Sequence, residues 1–527
     1  MTAPPSFAAL IRRAADRQPD QLAVSDAEQS LSWRQLADRV ARLAAAFAGA
    51  GLRPDDRVVI QAGSSVEFVL CYLAALQAGL VVVPVNPGYT LVELEHILDD
   101  SAARLLITDS VSTVAGAAEL RQRHAELMIL LVAPSGTDEL DTVAGLLDST
   151  EGRLEQDGRT GEDLAVLLYT SGTSGQPRAA MLPARALLAN LGQLAELSPP
   201  PVTAADRVYL PLPLFHVYGL NAGLGMALYF GASLILSARF DPVETLRAMA
   251  TARPTVVVGA PQEYRLWAEQ PEFATGFADV RLGLSGSAAL AAELVGRYAE
   301  IGVGLYEGYG LTEAAPVVTL NLAPDPGGAG WLPPKAGSVG RPLPGVDVRV
   351  VESDGELAEP GDLGYLEVRG ANLFTGYWPD GAGGPDAEGW FATGDLAVAD
   401  DDGDLYLVGR RSDLVLVNGF NVYPAEVEAV LGRVDGVAEV AVLGVPDEDE
   451  EVLVAYLVPE PGASLDPDAL LAEAGRSLAR FKLPRRLVEV DALPHTVTGK
   501  VMKWRIRPPG EGDQRNDRLA GAERNGS

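Results

Sequence analysis

The chain is poor in thiols and in lysine. Cys71 is its only cysteine, and Lys335, Lys482, Lys500 and Lys503 are its only lysines in 527 residues. One thiol excludes an intrachain disulfide and makes a thiolate metal site implausible. Positive charge is short overall: 41 Lys+Arg stand against 72 Asp+Glu, a formal net charge of −31. That balance excludes the basic footprint of a general nucleic-acid binder and opposes docking on anionic lipid. It does not exclude anionic small ligands, because a local cluster of donors can outweigh screened distant charge. No apolar stretch follows Arg12 and Arg13 in the first twenty residues, so no signal peptide is expected. Residues 208–238 carry no formal charge and are long enough to span a bilayer. Pro211, Pro213, His216, Asn221 and the glycines within that run make it read as strand, loop and buried helix instead. The expectation is a cytoplasmic protein without a membrane span.

What is present points to an ordinary globular protein, 47% hydrophobic and 21% charged. The length is too great for one core, so two or more domains are expected. Residues 1–160 alternate Ala/Leu/Arg-rich helical stretches with short Val/Ile runs. The runs at 58–60, 81–85 and 105–108 read as buried parallel strands, and 208–236, 254–260 and 281–286 continue the alternation. From about 337, frequent glycines punctuate short alternating strands. A second change of texture falls at Gly409-Arg410-Arg411-Ser412-Asp413. The predicted fold is α/β: a large N-terminal domain, 1–410, of two parallel-type αβ layered subdomains plus a β-rich subdomain. A small mobile α+β domain, 411–509, and a disordered tail, 510–527, follow it.

The segment Tyr169-Thr170-Ser171-Gly172-Thr173-Ser174-Gly175-Gln176-Pro177-Arg178 follows an apolar strand at 165–168 and precedes a helix expected to begin near Pro183. Small hydroxylated residues and glycines in one turn expose successive N–H and O–H donors, a concavity suited to phosphate oxygens. Arg178 can add charge-assisted bonds. The Gly-Lys-Ser/Thr ending of a Walker loop is absent. Alone, such a loop is more often a surface loop without a ligand.

It is not alone. Asn86-Pro87-Gly88-Tyr89-Thr90, Leu212-Pro213-Leu214-Phe215-His216-Val217-Tyr218-Gly219, Tyr309-Gly310-Leu311-Thr312-Glu313, Thr393-Gly394-Asp395, Gly409-Arg410, the run 418–426 and Thr498-Gly499-Lys500 occur in this order. Together with the loop they resemble the adenylate-forming enzyme superfamily over about residues 6–507, and the fatty acyl-CoA synthetase branch most. The resemblance implies a two-step reaction. A carboxylate attacks the α-phosphorus of ATP to give acyl-AMP and pyrophosphate, and a thiol then displaces AMP.

It also implies site roles. Lys500 would neutralise charge where carboxylate meets phosphate, and Glu313 would ligate Mg²⁺ with Thr312 beside it. His216 would sit near the substrate carboxylate. ATP would be held by Thr170 to Gly175, Arg178, Ser285, Gly286, Ser287, Glu307, Gly308, Tyr309, Gly310, Thr312, Asp395, Arg410 and Lys500. The acyl group would meet His216, Tyr218, Gly219, Gly223, Ala260, Gly283 and Gly310. CoA, the co-substrate, would meet Gly419, together with Arg480 and Lys482 on a stretch, 476–507, of net charge +7. An acyl carrier protein is the alternative acceptor. Monomer and homodimer are both compatible.

Two departures from the family pattern stand out. The loop ends Pro177-Arg178-Ala179 where the family usually has Pro-Lys-Gly, and Ser412 stands where the hinge residue is commonly Asp or Lys. Phe215-His216-Val217 offers no carboxylate for an ammonium group, which implies an uncharged acyl tail. Low side-chain volume at Gly219, Ala222, Gly223, Gly225, Ala260, Gly283, Ser285 and Gly286 is expected to leave a roomy acyl site, tight helix packing being the rival explanation. A medium-to-long or bulky hydrophobic acid is therefore the expected substrate.

Overall fold

A computed structural model describes residues 6–132, 140–170, 178–325, 330–410, 415–417, 420–447, 450–496 and 499–506. The chain groups into two compact units, 1–348 with 368–391, and 349–367 with 392–527. The junction expected at residue 410 falls inside the second unit. The reason is hydrogen bonding: the strand Leu405–Arg410 pairs antiparallel with Phe391–Ala399.

The first unit carries two large sheets. One has six strands in the order Met128–Leu131, Ala103–Thr108, Arg57–Gln61, Val81–Val85, Leu164–Thr170, Arg178–Pro183. All neighbours are parallel except the last two. The strands are Val/Leu/Ile runs because both faces are buried; Val58, Val59 and Ile60 are wholly inaccessible.

The other sheet has nine strands, and its central, mutually parallel members are Gly304–Gly310, Leu282–Ser285, Val256–Gly259, Arg207–Leu210 and Ser233–Leu236. Its aromatic core is built from Tyr264, Trp267, Phe273, Phe277 and Tyr298, packed edge to face. The one polar atom of the Trp267 ring is satisfied, Nε1 donating to Thr245 Oγ1 at 2.7 Å.

The expectation for 208–238 holds. Strand Arg207–Leu210, a loop, a buried helix and strand Ser233–Leu236 follow in turn. The helix opens as a π-helix at Tyr218–Gly225, a geometry no periodicity signalled. Among the described residues no helix is long and apolar enough to cross a membrane.

Within the second unit, Val437–Asp447, Glu450–Pro459 and Arg486–Glu489 form a three-stranded sheet. The helices Pro424–Leu431 and Pro467–Ala474 supply Val427, Leu431 and Leu470 to a core with Val442, Leu453 and Leu457.

Candidate active site

Parallel strands align their carboxyl ends, and ligands of open α/β sheets bind there. Register does this work here: Gly259 lies opposite Ser285, and Ser285 opposite Glu307. His216 and Tyr218 follow the strand ending at Leu210, Ala260 follows Gly259, Gly286 and Ser287 follow Ser285, and Tyr309 and Gly310 end their own strand. Residues separated by a hundred positions in sequence thus come to one edge. Tyr218 ties three of these ends together, its hydroxyl donating to Gly259 O at 3.3 Å and to Leu284 O at 3.1 Å.

Two buried polar groups, Ser285 and Glu307, stand at this edge. Ser285 Oγ is buried without a hydrogen-bond partner among the described residues. Glu307 is buried, accepts from Leu290 N at 3.2 Å, and is pushed up to about 7 by burial. It also borders a cavity of about 530 Å³, with Leu290, Tyr306, Asn321 and Trp331. None of the expected acyl-binding residues lines that cavity.

His216 accepts at Nδ1 from the Tyr218 N–H at 3.3 Å, so its proton sits on Nε2. Desolvation lowers it to about 4, which leaves a neutral imidazole with one outward donor at neutral pH. It can hydrogen-bond a carboxylate but not pair with it as a cation. Glu263, which sequence reasoning missed, accepts from Ala260 N at 2.8 Å. Burial pushes it up to about 8. It is the third residue of the helix Pro261–Ala268, where its side chain caps the helix start; its burial was not visible in the sequence.

The glycines are not where space is left. A Cβ on Gly219 would lie 2.3 Å from Pro213 O, on Gly223 2.6 Å from Leu210 Cδ1, and on Gly225 2.4 Å from Asn221 Oδ1. On Gly283 it would lie 2.8 Å from Leu305 Cδ1, and on Gly286 3.2 Å from the Tyr218 ring. The expectation of a roomy site from these residues is corrected: they let backbone and side chains close up. Gly310 serves the same purpose, its Cβ position being 2.2 Å from Pro316 O.

Thr312 and Glu313 open a single 3₁₀ turn, Thr312–Ala314, directly after the strand ending at Gly310. One oxygen of Glu313, Oε1, accepts from the Tyr377 hydroxyl at 2.5 Å. The other has no partner among the described residues. A carboxylate oxygen next to a threonine hydroxyl is a hard-oxygen donor set, the kind Mg²⁺ takes.

The phosphate-loop segment follows the expected strand, and the helix expected near Pro183 opens at Ala184, but a further strand lies between them. A strand, Arg178–Pro183, stands between it and the helix Ala184–Ala195, pairing antiparallel with Leu164–Thr170 and placing Thr170 opposite Arg178. The segment therefore joins two antiparallel strands instead of a strand and a helix. Ser171, Gly172, Thr173, Ser174 and Gly175 lie outside the described residues, as do Ser412, Gly419 and the tail 510–527.

On the second unit, Asp395 and Arg410 face each other across paired strands, with Arg410 Nε 3.0 Å from Asp395 Oδ1. Lys500 is exposed in a tight turn: its N–H bonds Thr496 Oγ1 at 3.0 Å, and Gly499 has φ +81°. Lys482 reaches both oxygens of Glu426 at 2.7 Å. This ion pair is part-exposed, with Lys482 and Glu426 side chains 25% and 34% accessible. Arg480 is exposed and has no partner among the described residues.

Comparison with known proteins identifies the family. Residues 11–378 match the model of the AMP-binding enzyme family, and residues 426–500 match that of the AMP-binding enzyme C-terminal domain. The chain belongs to the AMP-binding enzyme family. It is 36% identical over 501 residues to a feruloyl-CoA synthase of an Amycolatopsis species, covering 94% of this chain and 97% of that one. It is 32% identical over 529 residues to a long-chain-fatty-acid–CoA ligase of Bacillus subtilis, covering 94% and 93%. The crystal structure of ATP-bound MatB from Rhodopseudomonas palustris superposes with a TM-score of 0.84 at 34% identity, covering 94% and 97%. Within its family the chain is an AMP-forming acid–CoA ligase.

Proposed function

We propose that this ligase activates a hydrophobic carboxylic acid with a medium-to-long or bulky acyl group, and passes it to CoA. The observation that carries the reading is the absence of charge along the wall that follows the strand Arg207–Leu210. Residues 208–238 hold no Asp, Glu, Lys or Arg, His216 is neutral, and burial keeps Glu263 protonated. Nothing in that wall can pair with an ammonium or a second carboxylate. Relatives named for feruloyl and long-chain fatty acids are consistent with an apolar tail.

In the proposed first step a substrate carboxylate oxygen attacks the α-phosphorus, and the bond to pyrophosphate breaks. The His216 Nε2–H orients the carboxylate. Thr312 donates to the α-phosphate, and Asp395 accepts the ribose hydroxyls as an acceptor-only carboxylate, with Arg410 fixing it. The buried Ser285 hydroxyl and Glu307 serve the nucleotide from the strand ends. Mg²⁺ held by Glu313 and phosphate oxygens would supply charge neutralisation. Lys500, the turn lysine of the second unit, supplies the remaining positive charge as two anions meet. In the second step the thiol attacks the acyl carbon and AMP leaves. Arg480 is the proposed contact for a CoA phosphate, and residues 411–509 the segment that moves between steps.

The test is a panel of C2 to C18 and bulky polycyclic acids with ATP and Mg²⁺, reading pyrophosphate release with and without CoA. Thioester formed from apolar acids supports the reading. Acetate as best substrate, or acyl transfer only to a carrier protein, overturns it. Lys500→Ala should lower the adenylation rate by roughly 10²–10³ while thioester formation from supplied acyl-AMP persists; full-speed adenylation would contradict the role given to Lys500.

A further inference from the structure

Arg178 replaces the lysine usual in this loop, and the structure shows what the wider side chain does. Its guanidinium carbon lies 3.8 Å from the centroid of the Tyr377 ring, a stacked cation–π contact that a planar guanidinium makes well. The hydroxyl of the same ring holds Glu313 Oε1 at 2.5 Å. Three residues far apart in sequence, 178, 313 and 377, thus form one chain of contacts, guanidinium on ring and phenol on carboxylate.

The backbone around Tyr377 is held on several sides. Met181 N bonds Gly376 O at 3.0 Å and Trp378 N bonds Ala179 O at 2.9 Å, so 376–378 runs along the strand that begins at Arg178. Phe374 N bonds Glu313 O at 2.8 Å, and the Phe374 ring packs edge-on against Tyr377 with centroids 5.1 Å apart. The segment 374–378 therefore touches the phosphate-loop strand with one set of groups and the 3₁₀ turn of Glu313 with another. A phenol that donates to one carboxylate oxygen fixes the carboxylate plane and leaves the second oxygen for another partner. A cation over the ring polarises the phenol and strengthens it as a donor.

We propose that Tyr377 is a positioning residue for the metal ligand Glu313, and that Arg178 acts on the same ligand by clamping the Tyr377 ring. This rests on the reading of Glu313 as a Mg²⁺ ligand. The departure at 178 then has a structural consequence: Arg-on-Tyr couples the end of the phosphate loop to the carboxylate that would meet the metal.

The test is binding of Mn²⁺, read by electron paramagnetic resonance, to the full-length protein saturated with a non-hydrolysable ATP analogue. Glu313→Gln is the control for the underlying reading and should abolish the tight Mn²⁺ signal; if it does not, the ligand assignment itself fails. Given that loss, Tyr377→Phe should weaken Mn²⁺ binding roughly tenfold, the size expected for one hydrogen bond to a charged group. Affinity for the analogue in EDTA should stay unchanged. Unaltered Mn²⁺ affinity in Tyr377→Phe overturns the positioning role. Arg178→Gln should weaken Mn²⁺ in the parent protein and add little in the Tyr377→Phe background. Equal losses in both backgrounds would show that Arg178 acts independently of the ring and overturn the clamp. Thermal midpoints of all variants separate these outcomes from misfolding: a Mn²⁺ loss that tracks the melting temperature counts against the proposal.

Discussion

Glu263 shows how burial sets the chemistry of a single side chain. Its carboxyl is raised to about 8 because the surrounding protein excludes water from the charged form. The sign of the linkage follows. Below the ordinary glutamate range both folded and unfolded chains are protonated there, and the group costs nothing. As pH rises toward 8 the unfolded chain gives up its proton while the folded one keeps it, so stability is lost across that window and levels off above it. Glu263→Gln keeps an acceptor for the Ala260 N–H but cannot ionise. Its urea midpoint should therefore fall less than that of the parent between about pH 4.5 and 8, the range between the ordinary and the folded proton affinities. Parallel profiles would contradict the buried, protonated state. At this scale the sequence was partly legible. Asp395 and Arg410 could be named from Thr-Gly-Asp and Gly-Arg; that they pair with each other could not. Tyr377 could not be, because its partner Glu313 is 64 positions away and no local pattern records such a contact.

At the scale of elements, the strands were readable wherever burial on both faces produced uninterrupted Val/Leu/Ile runs, as at Arg57–Gln61, Val81–Val85 and Val256–Gly259. The π-helix at Tyr218–Gly225 was not, since its glycines fit space or packing equally well in sequence. The structure decides for packing, and this has a measurable consequence. Gly223→Ala drives a methyl toward Leu210, where the Cβ would lie 2.6 Å from Cδ1. Overpacking of this kind costs about 1–3 kcal/mol, so chemical denaturation should show a loss of that size. Preference among C8 to C16 acids should stay as it is, because the glycine does not line free volume. A shift toward shorter acids without loss of stability would restore the roomy-site explanation. The phosphate-loop hairpin belongs here too: six residues, Arg178–Pro183, pair back along Leu164–Thr170 before the helix starts. The helix start expected near Pro183 was legible, since the helix opens at Ala184, but the strand before it was not.

For the whole molecule, a net charge of −31 means self-repulsion in the compact state. Raising NaCl from about 20 to 300 mM shortens the Debye length from roughly 20 Å to about 6 Å. The melting temperature should rise across that range at pH 8. A flat or falling profile would mean that local ion pairs, such as Lys482 with Glu426, outweigh the long-range repulsion. Acidity, the shortage of lysine and the order of the motifs are properties of the chain itself. They were enough to indicate an α/β protein of more than one domain, a member of the adenylate-forming superfamily, and the residues to examine. Tertiary structure decided the rest. Parallel register brought Gly259, Ser285 and Glu307 to one edge, burial neutralised His216 and protonated Glu263, and the return of 374–378 along the phosphate-loop strand placed one phenol between Arg178 and Glu313. Charge and periodicity are local, so they can be read in order along a sequence. Register, desolvation and contact between distant segments are set only when the whole chain has packed.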